Sequence, residues 1–312
     1  MIAPVINYKQ FESFNETQIS VERAIRVLPK IFVSLEEDWS LQSAQKALKN
    51  QYRPQQFCIL IKPRDAVEAV SLLDLGVHKL ILSCKTPDDV KDLLHCAPNF
   101  PVERLGSMFD ISFVNESFMN HLPTILSLFS FIALSSSGSD EAHVKVLKLS
   151  QSQKTNYRGA WGFLQDYSST DHLKEVSEEG ILCMMPAFKL TLEESETDKI
   201  DLVNAIVACI KSDRGDGLIP TCVSNEIGAS LGLAYSSTSS IRESLKTLQG
   251  VYLSRKHGIW HKGLTSGSTQ DLKCISVDCD FDTLKFYVVQ HGSGKHYTLM
   301  NVIIKCICLF RK

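Results

Sequence analysis

Short apolar segments alternate with amphipathic ones through the first two thirds of the chain, and this alternation constrains the fold more than any other sequence feature. Residues 31–33, 57–61 and 79–82 are apolar runs of strand type. Between the last two runs, residues 65–75 carry apolar side chains at helical spacing, and Gly76 follows where a helix-ending glycine is expected. Strand–helix repeats of this spacing indicate a parallel sheet with crossover helices.

A further repeat follows the same pattern. Thr86 is a predicted N-cap and Pro87 a predicted first residue of a helix that ends near His95. Residues 129–134 are the next predicted strand. We therefore predict an α/β N-terminal domain of barrel-like strand–helix repeats over residues 1–195, although the pattern does not decide whether the barrel closes.

This region contains no recognisable catalytic motif. It lacks a glycine-rich phosphate loop and a nucleophile elbow, and its histidines are isolated. Residues 137–180 are mostly polar and are predicted to form a linker or an insertion. The sequence therefore assigns no role to the N-terminal domain.

The last hundred residues differ in character. Glycines cluster there, and short strand-type runs alternate with polar loops. One helix is predicted over residues 239–248. This pattern predicts a mostly-β α+β domain over residues 196–294, followed by a tail over residues 295–312.

The composition excludes several partners. The formal net charge is −2, so neither nucleic acid nor an anionic membrane surface is predicted as a partner. The ten cysteines contain no C-x-x-C pair, which suits a reducing compartment. No apolar run reaches the ~18 residues of a membrane span. We predict a cytoplasmic protein.

Three carboxylates alternate with a thiol and an aromatic ring at Asp278-Cys279-Asp280-Phe281-Asp282. On a β-strand this spacing would place the three aspartates on one face and Cys279 on the other. Three adjacent carboxylates are a donor set for Mg²⁺, and the thiol is a donor for Zn²⁺. Two other interpretations remain open: a solvated strand end, or a helix cap at Asp282 for a helix that begins at Thr283.

The C-terminal region resembles the phosphoribosyl-AMP cyclohydrolase family, in the form found within fungal multifunctional proteins of histidine biosynthesis. The resemblance lies in six ordered motifs, at residues 213–218, 231–237, 250–255, 260–270, 278–282 and 290–292. It implies hydrolysis of the adenine ring of N1-(5-phosphoribosyl)-AMP by a zinc-activated water.

The resemblance also implies residue roles. Asp278, Asp280 and Asp282 would bind Mg²⁺, and Cys279 would bind Zn²⁺ across a homodimer interface. Contacts to the substrate phosphates are expected from residues with guanidinium, ammonium or backbone N–H donors, namely Arg255, Lys262, Gly263, Ser266 and Gly267.

Three positions depart from the family pattern, and one of them is Leu264, where the family has an acidic residue after Lys262-Gly263. Lys295 and Val302 stand where the family has its other zinc cysteines, although His296 follows at the family's histidine position. A rearranged zinc site that uses Cys306 and Cys308 is an open alternative. Without one, a single thiolate per subunit does not make a three-ligand catalytic zinc site.

We expect the tail after residue 294 to lie outside the resemblance, and an unspliced intron or a mis-annotated exon is our hypothesis for it. A genuine divergent terminal strand or helix is the open alternative. Three functional hypotheses follow. The chain is an active cyclohydrolase, an inactive relative that keeps Mg²⁺ and ligand binding or dimerisation, or a protein whose N-terminal domain acts on a phosphorylated sugar.

Overall fold

The computed structural model describes residues 1–12, 20–35, 39–49, 56–85, 87–136, 141–167, 169–212, 214–256 and 258–292. The chain forms two compact units, the first from residues 1–17 and 30–209 and the second from residues 18–29 and 210–312, each taken over its described positions. The sequence places a domain boundary near residue 195, whereas the compact units change over between Cys209 and Ile210.

Eight parallel strands of the first unit close into a barrel. They are β1 (Ile2–Asn7), β2 (Lys30–Ser34), β3 (Gln56–Ile61), β4 (Lys79–Cys84), β5 (Leu105–Asp110), β6 (Phe131–Ser136), β7 (Ala160–Gln165) and β8 (Leu182–Pro186). Because β1 pairs in parallel with both β2 and β8, the barrel has no strand edge. The predicted α/β class is confirmed, and the closure that the sequence left open is present.

The α-helices of the two units alternate with strands along most of the chain. They are α1 (Tyr8–Glu12), α2 (Ser20–Ile25), α3 (Leu41–Lys49), α4 (Ala66–Asp74), α5 (Pro87–Cys96), α6 (Glu116–Leu128), α7 (Ala142–Ser152), α8 (Thr170–Glu178), α9 (Leu202–Ala208) and α10 (Thr238–Thr247). Within the described residues, no helix has both the length and the apolar character needed to cross a membrane.

The interior of the barrel is a packed apolar core, as the inward-facing side chains of such barrels require. Its buried members are Ala3, Phe32, Cys58, Leu60, Ile81, Met108, Phe131, Ala133 and Met184. Gly162 on β7 makes room for the Phe131 ring, because a Cβ at this position would lie 2.5 Å from Phe131 Cζ. A large ring beside a glycine, which has no side chain, therefore fills this part of the barrel interior.

The prediction that residues 137–180 form a linker or an insertion is wrong. The described part of this segment contains α7, β7 and α8, which complete the barrel repeat. The apolar stripe of α7 is narrow, with Ala142, Val146 and Leu149 buried among polar residues. A short helix with a narrow stripe and a polar outer face has too little apolar character to stand out in the sequence.

A two-stranded parallel ladder, β9 (Leu190–Thr191) with β10 (Ile200–Asp201), follows the barrel within the first unit. The second unit is built on a six-stranded sheet in the order β14-β13-β12-β11-β16-β15. Its strands are β11 (Ile219–Asn225), β12 (Ser230–Ser236), β13 (Val251–Ser254), β14 (Gly258–His261), β15 (Gln270–Val277) and β16 (Leu284–Gln290).

The sheet of the second unit curves toward closure. β11 and β16 are parallel, the other neighbouring strands are antiparallel, and an isolated bridge joins Gln249 to Asp271 on β15. Tyr252 and Phe286 pack in its core with ring centroids 5.6 Å apart. The mostly-β α+β class predicted for this region is confirmed.

A segment from near the N-terminus belongs to the second unit. Residues 18–29, which include the described helix α2, cluster with this unit, and Ile275 N–H on β15 donates to Val27 O at 2.7 Å. The sequence analysis assigned these residues to the N-terminal domain, because nothing in their local pattern indicates a partner more than two hundred residues away.

Candidate metal-binding site and its surroundings

The five-residue motif at Asp278–Asp282 is a loop between β15 and β16. β15 ends at Val277 and β16 begins at Leu284, so the predicted placement of the motif along a strand is wrong. The alternative of a helix beginning at Thr283 is also wrong, since Thr283 leads directly into β16. Phe281 has a left-handed backbone with φ 67°, which turns the chain.

Asp278 holds the loop in shape. Its Oδ1 accepts hydrogen bonds from the backbone N–H groups of Asp282 and Thr283, each at 3.2 Å. Its own N–H donates to Thr283 O at 3.1 Å, and Thr283 Oγ1 lies 2.8 Å from Asp282 Oδ1. These bonds close the loop locally and bring its side chains together without strand geometry.

One carboxylate oxygen from each of Asp278, Asp280 and Asp282 lies within 4.8 Å of the others. Burial raises the pKa of the Asp278 carboxyl, and the charges of Asp282 and Asp280 raise it further, whereas the hydrogen bond from Thr283 N–H lowers it. The loop therefore brings three carboxylates together where burial and the neighbouring charges disfavour the ionised form of Asp278.

The donor set fits a hard divalent cation. Octahedral coordination by Mg²⁺ at roughly 2.1 Å separates neighbouring ligand oxygens by roughly 3 Å and opposite ones by roughly 4 Å. Three carboxylate oxygens within 4.8 Å reach these separations by small side-chain rotations. The three aspartates named from the sequence therefore lie together, although a loop rather than a strand gathers them, and their role as Mg²⁺ ligands stays a prediction.

Cys279 is exposed in the same loop, with Sγ 4.0 Å from Asp280 Oδ1. Among the described residues, the three aspartates are the only group of three or more histidine, cysteine, aspartate or glutamate side chains at metal-ligand spacing. At this loop, the described part of one chain therefore supplies only the Cys279 sulfur as a candidate zinc ligand. Lys295, His296 and Val302, together with Cys306 and Cys308, lie outside the described residues.

The predicted phosphate contacts fall into two places. Lys262, Gly263, Ser266 and Gly267 share the tight turn between β14 and β15, where Gly267 N–H donates to Gly263 O at 2.8 Å. Gly263 requires its hydrogen side chain, since φ is +83° and a Cβ would lie 2.1 Å from the Ser268 carbonyl carbon.

The remaining members of this turn face different surroundings. Lys262 Nζ lies 5.4 Å from the centroid of the Trp260 ring, and Ser266 Oγ accepts from Ser268 N–H at 3.4 Å. Arg255 is not in the turn: it is exposed in the hairpin between β13 and β14. Four of the five residues that were predicted to contact phosphate therefore lie in one turn.

Arg255 instead meets two residues that the sequence analysis did not single out. Its guanidinium carbon lies 5.3 Å from the centroid of the Tyr235 ring, and that of Arg214 lies 4.9 Å from the same centroid. Asp216 accepts from Arg214 Nε at 2.9 Å and from Nη2 at 2.6 Å. The Arg-x-Asp spacing was the available sequence signal for this pair.

The acidic loop is tied to the segment that carries Arg214. Lys211 N–H donates to Phe281 O at 2.7 Å, and Lys211 Nζ lies 5.9 Å from the Phe281 ring centroid. A stretch of three residues spans at most roughly 11 Å, so Arg214 starts close to the residue that is bonded to the loop. The acidic loop is thus bonded to Lys211, three residues before Arg214 in the sequence.

Fold and site together define a β domain with a cluster of three aspartates and an arginine–tyrosine cluster, on a chain that also contains a parallel α/β barrel. The model of the family described as Phosphoribosyl-AMP cyclohydrolase matches residues 232–301. The phosphoribosyl-AMP cyclohydrolase of Streptococcus thermophilus is 43% identical over 86 residues, which cover 27% of this chain and 77% of that protein. The chain belongs to the phosphoribosyl-AMP cyclohydrolase family through this C-terminal region.

Longer fungal proteins contain the same region. The histidine biosynthesis trifunctional protein of Neurospora crassa is 49% identical over 113 residues, which cover 36% of this chain and 13% of that protein. The histidine biosynthesis bifunctional protein of Schizosaccharomyces pombe is 46% identical over 127 residues, which cover 40% of this chain and 30% of that protein. The chain therefore spans less than a third of the length of these multifunctional relatives.

Proposed function

We propose that the second unit hydrolyses the adenine ring of N1-(5-phosphoribosyl)-AMP in the biosynthesis of L-histidine. The observation that carries the proposal is the convergence of three aspartate carboxylates within 4.8 Å of one another inside the residues that the family model matches. The 43%-identical bacterial relative is a phosphoribosyl-AMP cyclohydrolase, which supports this reaction.

The aspartates are the proposed Mg²⁺ ligands. A bound Mg²⁺ would supply a positive charge that attracts phosphate or water oxygens. Asp278 keeps the loop closed through Oδ1, and Asp278, Asp280 and Asp282 each offer one carboxylate oxygen to the proposed set. Protonation of Asp278, whose pKa is raised by burial and by its neighbours, would compete with the cation.

The zinc half of the predicted chemistry is only partly supported. A catalytic zinc ion normally has three protein ligands and lowers the pKa of a bound water to about 7. Among the described residues, no group of three metal ligands includes Cys279, so a complete zinc set within one chain is not present there. We propose Cys279 as one zinc ligand of a homodimer and derive no catalytic step from the ion.

The substrate carries phosphate groups, and the proposed contacts follow from the donors present. The turn at Lys262, Gly263, Ser266 and Gly267 offers an ammonium group, a hydroxyl and backbone N–H groups, and Arg255 offers a guanidinium. The described cysteines are all free thiols, which supports the proposal of a cytoplasmic location.

A second candidate is a family member that binds Mg²⁺ and the nucleotide without turning it over, or that serves only as a dimerisation module. Lys295 and Val302 favour it, because they replace the cysteines that the family resemblance leads one to expect. The Mg²⁺ loop is the same under both candidates, so the decisive difference is zinc-dependent turnover.

The test uses the full chain with added Mg²⁺ and Zn²⁺. Ring opening is followed by its change in ultraviolet absorbance, and bound zinc is measured by elemental analysis. We expect turnover that falls by at least about 100-fold in Asp280→Asn and stays unchanged in Glu226→Gln, which removes an equal charge from the β11–β12 turn. Absence of zinc and of turnover, with nucleotide binding retained, would support the second candidate.

A further inference from the structure

The apolar core of the barrel ends below a set of polar side chains at the carboxyl ends of the strands. Successive residues of a strand face alternately into and out of the barrel, so the next inward position lies two residues beyond the last core residue. On the odd-numbered strands the last core residues are Val5, Leu60, Met108 and Leu164. The inward positions that follow them are Asn7, Lys62, Asp110 and Asp166.

Strand register places these four residues at one level, which we call the upper level. With a strand tilt of about 36° and strands about 4.8 Å apart, paired residues on neighbouring strands differ in height by about 2.8 Å, or about one residue. Asn7 pairs with Ser34, and Ser34 pairs with Leu60, so the position two residues beyond Leu60, which is Lys62, is level with Asn7. The same count across the next four strands places Asp110 and Asp166 at this level.

The even-numbered strands supply the level directly below. Their last core residues are Phe32, Ile81, Ala133 and Met184. The inward positions that follow are Ser34, Ser83, Ser135 and Pro186. Ser83 is only 2% exposed, and its hydroxyl has no hydrogen-bond partner among the residues that the structure describes. A buried hydroxyl without a partner is unfavourable, so core packing alone does not account for a serine here.

The charges of the upper level are unequally compensated. Asp166 Oδ2 lies 2.7 Å from Lys189 Nζ, and Asp110 Oδ1 accepts from the N–H and the hydroxyl of Ser112 at 2.9 and 2.6 Å. Within the described ranges, the half-buried Lys62 forms no ion pair and no side-chain hydrogen bond. Its ammonium group is therefore available to an anion.

We propose that the carboxyl end of the barrel binds a small polyhydroxylated anion of the sugar phosphate class. The Lys62 ammonium attracts the anionic group, while the serine hydroxyls and the Asp110 carboxylate exchange hydrogen bonds with the hydroxyl groups of the ligand. An eight-stranded barrel has room inside for one small ligand at most, which limits its size. Side chains from several strands meet at this end, where barrels of this type bind their ligands.

This site is separate from the proposed cyclohydrolase reaction. All its residues belong to the first unit, and none lies within residues 232–301, which the family model matches. Binding to the barrel can therefore be present or absent whether or not the second unit opens an adenine ring.

The test measures binding of D-ribose 5-phosphate to the full chain by isothermal titration calorimetry. We expect Lys62→Met to raise Kd by about 10- to 100-fold, because a charge-assisted contact is lost. Ser83→Ala should raise Kd by about 2- to 10-fold, as expected for one neutral hydrogen bond. Ser83→Ala should not lower the Tm of the ligand-free protein, whereas a purely structural hydroxyl would be needed for stability.

Two controls locate the bound ligand. Lys148→Met removes the same charge from the exposed side of α7 and should leave Kd unchanged. Lys262→Met removes an ammonium group from the second unit and should also leave Kd unchanged. Inorganic phosphate and D-ribose, which each carry only half of the recognised chemistry, should bind at least about 10-fold more weakly than D-ribose 5-phosphate.

Three results would overturn the proposal. The first is failure of the parent chain to bind D-ribose 5-phosphate. The second is a Kd that is unchanged in both Lys62→Met and Ser83→Ala, or that rises in Lys262→Met instead. The third is equally tight binding of inorganic phosphate or of D-ribose. If circular dichroism shows that Lys62→Met does not fold, Lys62→Gln and Ser83→Ala decide the outcome. Ring opening is not measured in this assay, so failure here leaves the cyclohydrolase proposal untouched.

Discussion

Replacement of Asp280 by asparagine removes one negative charge and one proposed Mg²⁺ ligand from the acidic loop. The Asp280 carboxylate lies within 4.8 Å of those of Asp278 and Asp282. At about 4.8 Å two like charges repel by about 0.9 kcal/mol in water and by about 3.5 kcal/mol at an effective dielectric constant of 20. Because Asp280 is exposed, each repulsion lies near the smaller value and is reduced further by salt.

We therefore expect Asp280→Asn to be more stable than the parent chain when chelator removes divalent ions. Relief of two screened repulsions amounts to about 1 kcal/mol, which corresponds to a rise in Tm of about 4 °C for the second unit. Mg²⁺ should reverse the order. At a free concentration of about ten times Kd, Mg²⁺ stabilises the parent chain by about 1.4 kcal/mol, and the variant gains less because it has lost a ligand.

The assay is differential scanning calorimetry of both proteins in EDTA and in a Mg²⁺ titration at fixed ionic strength. Glu226→Gln is the control for charge alone, since Glu226 is exposed beyond the far end of β11 and should respond to Mg²⁺ as the parent does. Equal Mg²⁺-induced shifts in the parent and in Asp280→Asn would refute the metal site. A lower Tm for Asp280→Asn in EDTA would refute the electrostatic argument.

Three further outcomes follow from the structure. The raised pKa of Asp278 means that the native state binds the proton of this carboxyl more tightly than the unfolded state does. The metal-free protein should therefore lose stability as pH rises through the folded-state pKa. Asp278→Asn should flatten that part of a Tm–pH profile. Gly263→Ala should destabilise by more than about 2 kcal/mol in urea unfolding, and Gly267→Ala by about 1 kcal/mol, because both have positive φ but only the first meets backbone atoms, at 2.1 Å. Gly162→Ala should lower the stability of the barrel by about 1 to 3 kcal/mol in the same assay, since its Cβ would lie 2.5 Å from a phenyl ring, and a neutral effect would contradict the described packing.

Sequence rules that depend only on neighbouring residues predicted several elements of the barrel, such as the end of a helix at a glycine. Gly76 ends α4 as expected, with φ 89° and a hydrogen bond from its N–H to Leu73 O at 3.0 Å. Closure could not be predicted in this way, because it depends on the pairing of Ile2 with Cys183 across nearly the whole first unit. The same limit applies to the bond between Val27 and Ile275 in the second unit.

The acidic motif shows how a wrong local geometry can still predict that three side chains lie together. Alternation of aspartates with Cys279 and Phe281 matches the period of a strand, and the prediction rested on that match. What gathers the carboxylates is the side chain of Asp278, which accepts from two backbone N–H groups and closes a loop. An aspartate that competes with strand pairing for backbone donors favours a turn, so the first carboxylate of the motif was itself a signal against a strand.

The arginine–tyrosine cluster exposes a different limit, because its members come from three separate stretches of sequence. Arg214 lies before the sheet, Tyr235 is on β12 and Arg255 is in a hairpin, so no spacing in the sequence relates all three. Only the register between Tyr235 and Leu253 brings the hairpin arginine to the ring, and only the Asp216 fork aims Arg214 at it. A family resemblance finds residues that match a motif, whereas a positioning contact of this kind is visible only once strand register is known. The approach of Arg214 and Arg255 to one ring therefore depends on the fold of this chain, which no spacing in the sequence encodes.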